Sequence, residues 1–177
     1  DLGTADFKAM TTAQVAALGA NDTAQITAIE TQDLVVLSTG QIQALKVYNA
    51  DGGFTASQVQ ALTTAQVKAL TGAQFGGSAT NDISEMLAEQ LKAIDVEDFA
   101  GMSNAQIGQL TTTNFRELTT AQIAGLSSSQ LTSLSTDYFA AMTTDQMRAM
   151  STDAIKALSF GAGSQLAAIG TTGLASL

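Results

Sequence analysis

Residues 102–157 read MSNAQIGQ, LTTTNFRE, LTTAQIAG, LSSSQLTS, LSTDYFAA, MTTDQMRA, MSTDAIKA when the sequence is broken every eight residues. Each block opens with Leu or Met, which is followed by Ser or Thr. The same frame extends over residues 2–176 as twenty-one units, eighteen of eight residues and three longer ones. The consensus is [LM]-[ST]-T-A-Q-[IVLF]-x-A. Such regular repetition predicts an array of equivalent structural units.

An eight-residue period excludes a single long helix. An α-helix turns by about 100° per residue, so an apolar stripe would drift by about 80° in every unit and end up facing all directions. Each unit must therefore turn within itself.

Positions 2 and 5 of the unit form a helix-start signal. A Ser, Thr or Asp followed three residues later by Gln is a capping box, in which each side chain bonds to the other residue's backbone N–H. The apolar positions 1 and 6 then form a hydrophobic staple, as in Leu62 with Val67 and Met102 with Ile107. Further staple pairs are Leu118 with Ile123 and Met142 with Met147. Ten units carry the box: Thr11/Gln14, Asp22/Gln25, Ser38/Gln41, Thr55/Gln58, Thr63/Gln66, Thr71/Gln74, Ser103/Gln106, Thr119/Gln122, Ser127/Gln130 and Thr143/Gln146.

Each unit is therefore a turn plus a helix of about six residues, too short to be stable alone. The sequence predicts an all-α solenoid, or superhelix, of short capped helices with an eight-residue repeat. Small Ala side chains at positions 4 and 8 allow close helix packing, and position 7 faces solvent. A β-solenoid is the rival fold, because positions 4, 6 and 8 alternate like a strand, but Ala and Gln are poor strand formers.

The run Gly76-Gly77-Ser78-Ala79 is the strongest break in the repeat. From Asp82 to Ile94 the apolar residues recur at helical spacing, and Asp82 with Glu85 forms a new capping box. We expect two units fused there into one amphipathic helix of 13 residues. The predicted organisation is N-terminal repeats over 1–75, a Gly-rich break and longer seam helix over 76–94, and C-terminal repeats over 95–177. One continuous solenoid is favoured over independent domains.

Composition narrows the possible functions. The chain has no His, Cys, Trp or Pro, and its 7 basic and 16 acidic residues give a net charge of -9. Serine–histidine and cysteine nucleophiles, imidazole or thiolate metal sites and disulfides are therefore excluded. The scattered cations disfavour nucleic acid as a partner, and no apolar run is long enough for membrane insertion. Because the chain opens on Asp1, we expect a fragment or a processed form.

One turn resembles the second part of an EF-hand calcium loop. Asn49, Asp51 and Thr55 supply oxygen atoms at ligand spacing, with Gly52 between them. Gln58 replaces the bidentate Glu, so any Ca²⁺ affinity is expected to be weak, and no other cofactor is expected. The alternative is a plain Gly-rich turn between two helices.

Two sets of carboxylates can each be interpreted either as a functional site or as ordinary residues of a helix surface. Asp137, Asp145 and Asp153 recur every eight residues and could form a cation-binding row, yet acids in a first helical turn also stabilise the helix dipole. Asp145 and Asp153 can also pair with basic residues three positions later. The second set lies around the seam and could serve a carboxylate-dependent hydrolase, or simply form a solvated helix face: Asp82, Glu85, Glu89, Asp95, Glu97 and Asp98.

Arrays such as LTTAQIAGLSSSQL resemble the short helical repeats of large secreted bacterial surface proteins, including RTX-type adhesins exported by type I secretion. This resemblance implies a non-enzymatic scaffold at the bacterial cell surface or outside the cell: a stalk, surface-layer, adhesin or filament segment. Its partners are expected to be copies of itself, as a homo-oligomer or polymer, or a cell-surface protein. The alternative is an α-solenoid that binds a protein or peptide through positions 3 and 7.

Overall fold

A computed structural model describes residues 3–18, 24–45, 53–71, 74–75, 83–161 and 163–175. Every regular element in these ranges is a helix, so the all-α prediction is confirmed and the rival β-solenoid is wrong. Among these residues, no helix is long and apolar enough to cross a membrane.

The chain forms two compact units, Asp1–Ile94 and Asp95–Leu177. The described helices of the first are α1 Thr4–Ala9, α2 Thr12–Ala17, α3 Ala24–Thr27, α4 Thr31–Leu34, α5 Thr39–Ala44, α6 Ala56–Ala61, α7 Thr64–Ala69 and α8 Ala88–Ala93. Those of the second are α9 Val96–Ala100, α10 Asn104–Ile107, α11 Thr112–Arg116, α12 Thr120–Gly125, α13 Ser128–Thr132, α14 Thr136–Ala141, α15 Thr144–Ala149, α16 Thr152–Ala157 and α17 Gln165–Leu174. The last is kinked at Gly170, where φ is 72°.

Within each unit, a helix packs against the helix three octapeptides further along the chain. In the first unit α1 contacts α4, α2 contacts α5 and α5 contacts α7; in the second, α9 contacts α12 and α13 contacts α16. Three octapeptides therefore make one turn of a superhelix within each unit, a number that the eight-residue repeat does not predict. Stability comes from this stacking, since helices of four to six residues do not persist alone.

The helices begin where the capping boxes place them. Nine of the ten predicted boxes have both members among the described residues, and in all nine the cap's N–H donates to the Gln Oε1. The tenth includes Asp22, which lies outside the described residues. Many of the helices end where the next position-1 residue turns extended, as Leu62 does with φ −56° and ψ 133°. That residue then starts the next staple.

The core consists of positions 1 and 6. Both members of the four predicted staple pairs named above are buried. The largest fully buried side chains are Phe99, Phe115 and Phe139. Each occupies position 6 of its octapeptide, and all three lie in the second compact unit. Position 7 is exposed in most of the described octapeptides, as at Lys8, Lys68 and Arg148, so its predicted orientation toward solvent is confirmed there.

The predicted 13-residue seam helix is wrong. Ile83–Glu85 is a turn, and α8 begins only at Ala88. Leu87 occupies the N-cap although it lacks a hydroxyl, because the side chain of Gln90 accepts its N–H at 2.8 Å. Gln90 therefore starts the helix at the position that the octapeptide repeat predicts, although the helical spacing of the apolar residues indicates a longer helix. The three-part division of the sequence stays a prediction.

Candidate functional site: the glutamine clamp

Gln66 joins two helix ends with one side chain. Its Oε1 accepts the backbone N–H of Thr63 at 2.9 Å and so closes the capping box that starts α7. Its Nε2 donates to the carbonyl oxygens of Leu34 and Leu37, both at 2.9 Å, at the end of α4. The side chain is only 2% exposed. We call this double contact the glutamine clamp.

The clamp recurs in both units. In each case Nε2 donates to carbonyl oxygens 28–34 residues earlier, at the end of the helix four octapeptides back, with a shortest distance of 2.7–2.9 Å. The amide therefore bonds into the preceding superhelical turn. Seven further glutamines form it, all of them buried: Gln41, Gln58, Gln74, Gln90, Gln130, Gln146 and Gln165.

The clamp solves a problem that every solenoid of short helices has. The last carbonyl groups of a helix lack intrahelical partners, and a buried unpaired polar group costs about 1–3 kcal/mol. Gln serves both ends because it carries an acceptor and two donors. Ionised Glu could complete a capping box but has no donor for the carbonyls. No unit has Glu at position 5, which is the signal in the sequence for this second role.

Tyr138 replaces Gln at position 5 of its unit. Its hydroxyl lies 2.5 Å from the carbonyl oxygen of Leu110 and 3.1 Å from that of Gly108, at the end of α10. The ring meets Phe115 edge-on, with centroids 5.1 Å apart. Burial, and secondarily the charge of Asp137, raises the Tyr138 pKa above its usual value of 10.0. A phenol thus performs the clamp's donor function here.

Tyr138→Phe is expected to lower the free energy of unfolding by about 1 kcal/mol at neutral pH, since it removes one hydroxyl donor. Because the folded-state pKa is raised, the hydroxyl's contribution is fully present below pH 10 and is lost as the pH rises through the folded pKa. Denaturant titrations of both proteins at pH 7 and at a pH above the folded-state pKa of Tyr138 measure this. A deficit of the same size at both pH values would contradict the donor role.

Ala154 marks a missing clamp. It occupies position 5 of its octapeptide, within α16, and is fully buried. Its methyl side chain cannot donate a hydrogen bond to the carbonyl groups at the end of α12, four octapeptides back. Ala154→Gln is expected to raise the free energy of unfolding by about 1 kcal/mol by adding hydrogen bonds at both ends. Ala154→Glu, of equal size but without an amide, is the matched control and should destabilise. Thermal denaturation of both variants checks this, and equal effects would count against a clamp here.

The calcium-like turn is described only in part, because Asn49 and Asp51 lie outside the described residues. Thr55, the third proposed ligand, is the N-cap of α6: its hydroxyl accepts the N–H of Gln58 at 3.3 Å. Gln58, at the expected bidentate position, is a clamp whose Nε2 reaches Ile29 O at 2.7 Å. Thr55 and Gln58 therefore have structural partners, and calcium binding stays a prediction.

The carboxylates lie on the surface. Asp145 pairs with Arg148 at 3.8 Å and Asp153 with Lys156 at 3.7 Å, and both acids are more than 80% exposed. The predicted i,i+3 pairs are thus confirmed, at solvent-screened sites of small energetic weight. In the seam set, Glu89 pairs with Lys92, whereas Asp82 lies outside the described residues. Within the described ranges no three acidic side chains converge as a metal site would require.

The first four octapeptides present their position-5 side chains differently. Gln14 completes its capping box but is exposed, and among the described residues its Nε2 donates to no carbonyl. Asp33 is 4% exposed and accepts the Thr4 hydroxyl at 2.7 Å. Here lies an open cleft of about 360 Å³, lined by Phe7, Leu18, Gln25, Ala28, Ile29, Glu30 and Asp33.

Comparison with known proteins agrees with the repeat. A family model described as the ALTTAQ repeat matches residues 112–144. That stretch runs from α11 into α15 and includes the Gln130 clamp and its Tyr138 variant. It supports a repeat region over a minority of the chain. No curated protein and no solved structure matches.

Proposed function

We propose that this chain is a non-enzymatic structural scaffold in a bacterial surface or secreted protein, serving as a stalk, surface-layer, adhesin or filament segment. The observation that supports this most is that the buried polar side chains are almost all glutamines of the repeat. Eleven described polar or charged residues are buried, and nine of them are glutamines of the repeat. Eight of the nine make the clamp contacts described above.

The clamp suits a load-bearing or spacing element. Solenoids are one-dimensional arrays in which each repeat contacts only its neighbours, so length changes by adding repeats. Where a clamp is present, neighbouring turns are joined by buried hydrogen bonds as well as by apolar packing. Pulling the turns apart would break these bonds and expose the groups that made them.

The cellular location rests on the sequence. The octapeptides resemble helical repeats of secreted bacterial surface proteins, including RTX-type adhesins, and the family model supports their repeat character. The pI of about 4.1 and the absence of Cys suit a protein exposed to an oxidising exterior without disulfides. Surface display is therefore part of the proposal.

Immunolabelling of intact and permeabilised cells of the source bacterium tests this. An antibody raised against the purified chain should label intact cells or the culture medium, while a cytoplasmic marker stays inaccessible without permeabilisation. Labelling that requires permeabilisation would contradict the proposed location.

A second candidate is a protein-binding solenoid, favoured by where the cations lie. All six described basic residues occupy position 7: Lys8, Lys68, Lys92, Arg116, Arg148 and Lys156. All six are exposed, and three lie in the second unit at intervals of 32 and 8 residues. An acidic protein segment is the partner that such cations would attract. The triple variant Arg116→Gln, Arg148→Gln and Lys156→Gln should then lose partners that the parent protein captures in a pull-down, and an unchanged set would dismiss this candidate.

A further inference from the structure

Successive turns of the second unit are not held together equally. We call residues 126–149, which form α13, α14 and α15, the clamped turn, and residues 150–175, which include α16 and α17, the joint turn. In the clamped turn, the position-5 side chain of every octapeptide donates to carbonyl groups four octapeptides back. The three donors are Gln130, Tyr138 and Gln146. The clamped turn is therefore bonded to the turn before it through all three of its octapeptides.

The described residues of the joint turn contain one clamp in the three corresponding positions. Gln165 Nε2 donates to the carbonyl oxygens of Leu134 at 2.7 Å and of Thr132 at 3.0 Å. The other two octapeptides carry Ala154 and Gly173 at position 5, and neither residue type has a side-chain donor. A clamp reaches back along the chain, so this difference concerns only how the joint turn is held to the residues before it.

Gly173 leaves no room for a clamp. It is buried, and a Cβ atom added to it would overlap Met147 Sδ and Ile169 Cγ2. Met147 belongs to α15 of the clamped turn, so its thioether fills the space that a position-5 side chain would take. At this place the two turns meet through apolar packing between α15 and α17. Such packing is non-directional, so it restrains their relative position less than hydrogen bonds of fixed geometry do.

The joint turn is also costly to order. The clamped turn contains no glycine, whereas the joint turn contains every described glycine with a positive φ angle: 107° at Gly161, 76° at Gly163 and 72° at Gly170. Glycine loses more conformational freedom on folding than any other residue. A smaller gain from hydrogen bonding and a larger entropic cost therefore fall on the same turn.

We propose that the joint turn is a compliant joint of the superhelix, which separates from the clamped turn as one unit while α9–α15 stay folded. In a one-dimensional array, the weakest interface between neighbouring repeats decides where the array opens. Separation here breaks one clamp, whereas releasing the clamped turn from the turn before it breaks three. Contiguous elements of a native protein open in this way at a fraction of the global free energy of unfolding.

This joint deepens the scaffold function proposed above and rests on it, because a stalk or filament segment is put under tension. Under tension the joint turn should separate first, lengthen the segment and close again when the load is removed. The clamped turn would then transmit the load as a folded unit.

Hydrogen exchange of the whole chain, followed by mass spectrometry of peptic fragments, tests the joint. The backbone amides of α16 and α17 should exchange together, at least about tenfold faster than those of α13–α15. Ala154→Gln adds a clamp and should slow exchange in α16 and α17 by about fivefold. Ala154→Glu, of equal size but without an amide donor, is the matched control and should not slow it.

Gln146→Ala provides the converse test, because it removes a clamp from the clamped turn. Helix α15 should then open with the joint turn, and its amides should exchange at least about fivefold faster than in the parent protein. Helix α13, which keeps the Gln130 clamp, should exchange as before.

Three results would overturn the joint. The first is exchange in α16 and α17 as slow as in α13–α15, the second is exchange there that Ala154→Gln leaves unchanged, and the third is exchange in α15 that Gln146→Ala leaves unchanged. None of these results bears on the antibody labelling of intact cells, so failure of the joint and failure of the scaffold function are distinguishable.

Discussion

Replacing Gln66 with Glu is expected to lower the free energy of unfolding by about 3–5 kcal/mol, because it breaks a buried network and leaves an unpaired charge. The carboxylate keeps the acceptor that caps α7 but loses the donor. It then lies about 2.9 Å from two carbonyl oxygens, at the negative end of the α4 dipole. Urea titration followed by circular dichroism measures the change.

Gln14→Glu is the matched control for this variant. Gln14 makes the same capping contact, with Thr11 N–H at 2.8 Å, but its amide nitrogen donates to no carbonyl among the described residues. The substitution should therefore change stability by less than about 0.5 kcal/mol. Equal losses in Gln14→Glu and Gln66→Glu would show that the clamp's second contact has no energetic weight.

The Gln66→Glu deficit should also depend on pH. Burial beside carbonyl oxygens raises the carboxyl pKa in the folded state above its unfolded value. Protonation restores a donor, so the folded state is favoured at low pH, and stability is lost as the pH rises through the folded pKa. The difference from the parent protein should shrink as the pH is lowered. A difference that stays constant with pH would contradict this assignment.

Deleting one whole octapeptide is expected to leave a folded superhelix, whereas deleting half of one is not. Removing residues 126–133 joins Gly125 to Leu134 and keeps every later unit in frame. The mean helix signal per residue should remain, and melting should stay cooperative. Removing residues 126–129 shifts the position-5 residues that follow by half an octapeptide against the carbonyl groups that precede the deletion.

The half-unit deletion is expected to cost several clamps at once. Gln130, Tyr138 and Gln146 all follow the deletion and all bond to carbonyl groups that precede it. Loss of helix signal and a broadened thermal transition in the second unit are the predicted readouts. Two deletions with indistinguishable melting curves would show that the octapeptide frame does not govern packing.

Much of this fold is predictable because its signals are local. A hydroxyl and a Gln three residues apart define a helix start within five residues, as Thr63 and Gln66 do. The apolar positions 1 and 6 need only burial. These short-range patterns are enough to place helices, core and the exposed position 7.

The clamp itself escaped prediction because it joins residues about 30 positions apart. A capping box explains Gln at position 5 without requiring burial, and it accounts only for Oε1. The Nε2 contacts depend on the superhelical turn containing three octapeptides, a number that the repeat alone does not specify. The role of Tyr138 depends on contacts of the same range: its hydroxyl partners, Gly108 and Leu110, lie 30 and 28 residues away.

At the seam, the sequence pattern predicts a longer helix than the structure has. Apolar residues between Ile83 and Ile94 have helical spacing, and Leu87 stands where a hydroxyl is expected, so a long helix looked favourable. The deciding interaction is again distant: Gln90 Nε2 donates to Val59 and Leu62, both at 2.7 Å. Fixing Gln90 against α6 fixes where α8 begins.

Hydrogen exchange of the glutamine side-chain amides, followed by NMR in protein labelled with ¹⁵N at glutamine, tests the clamp most directly. The Nε2 protons of Gln58, Gln66, Gln130 and Gln146 should exchange slowly, because each is buried and bonded to two or more carbonyl groups. Those of the exposed Gln14 and Gln43 should exchange as in an unfolded chain. Exchange of the clamp amides at the rate of Gln14 would contradict the claim that glutamine joins successive turns of this superhelix.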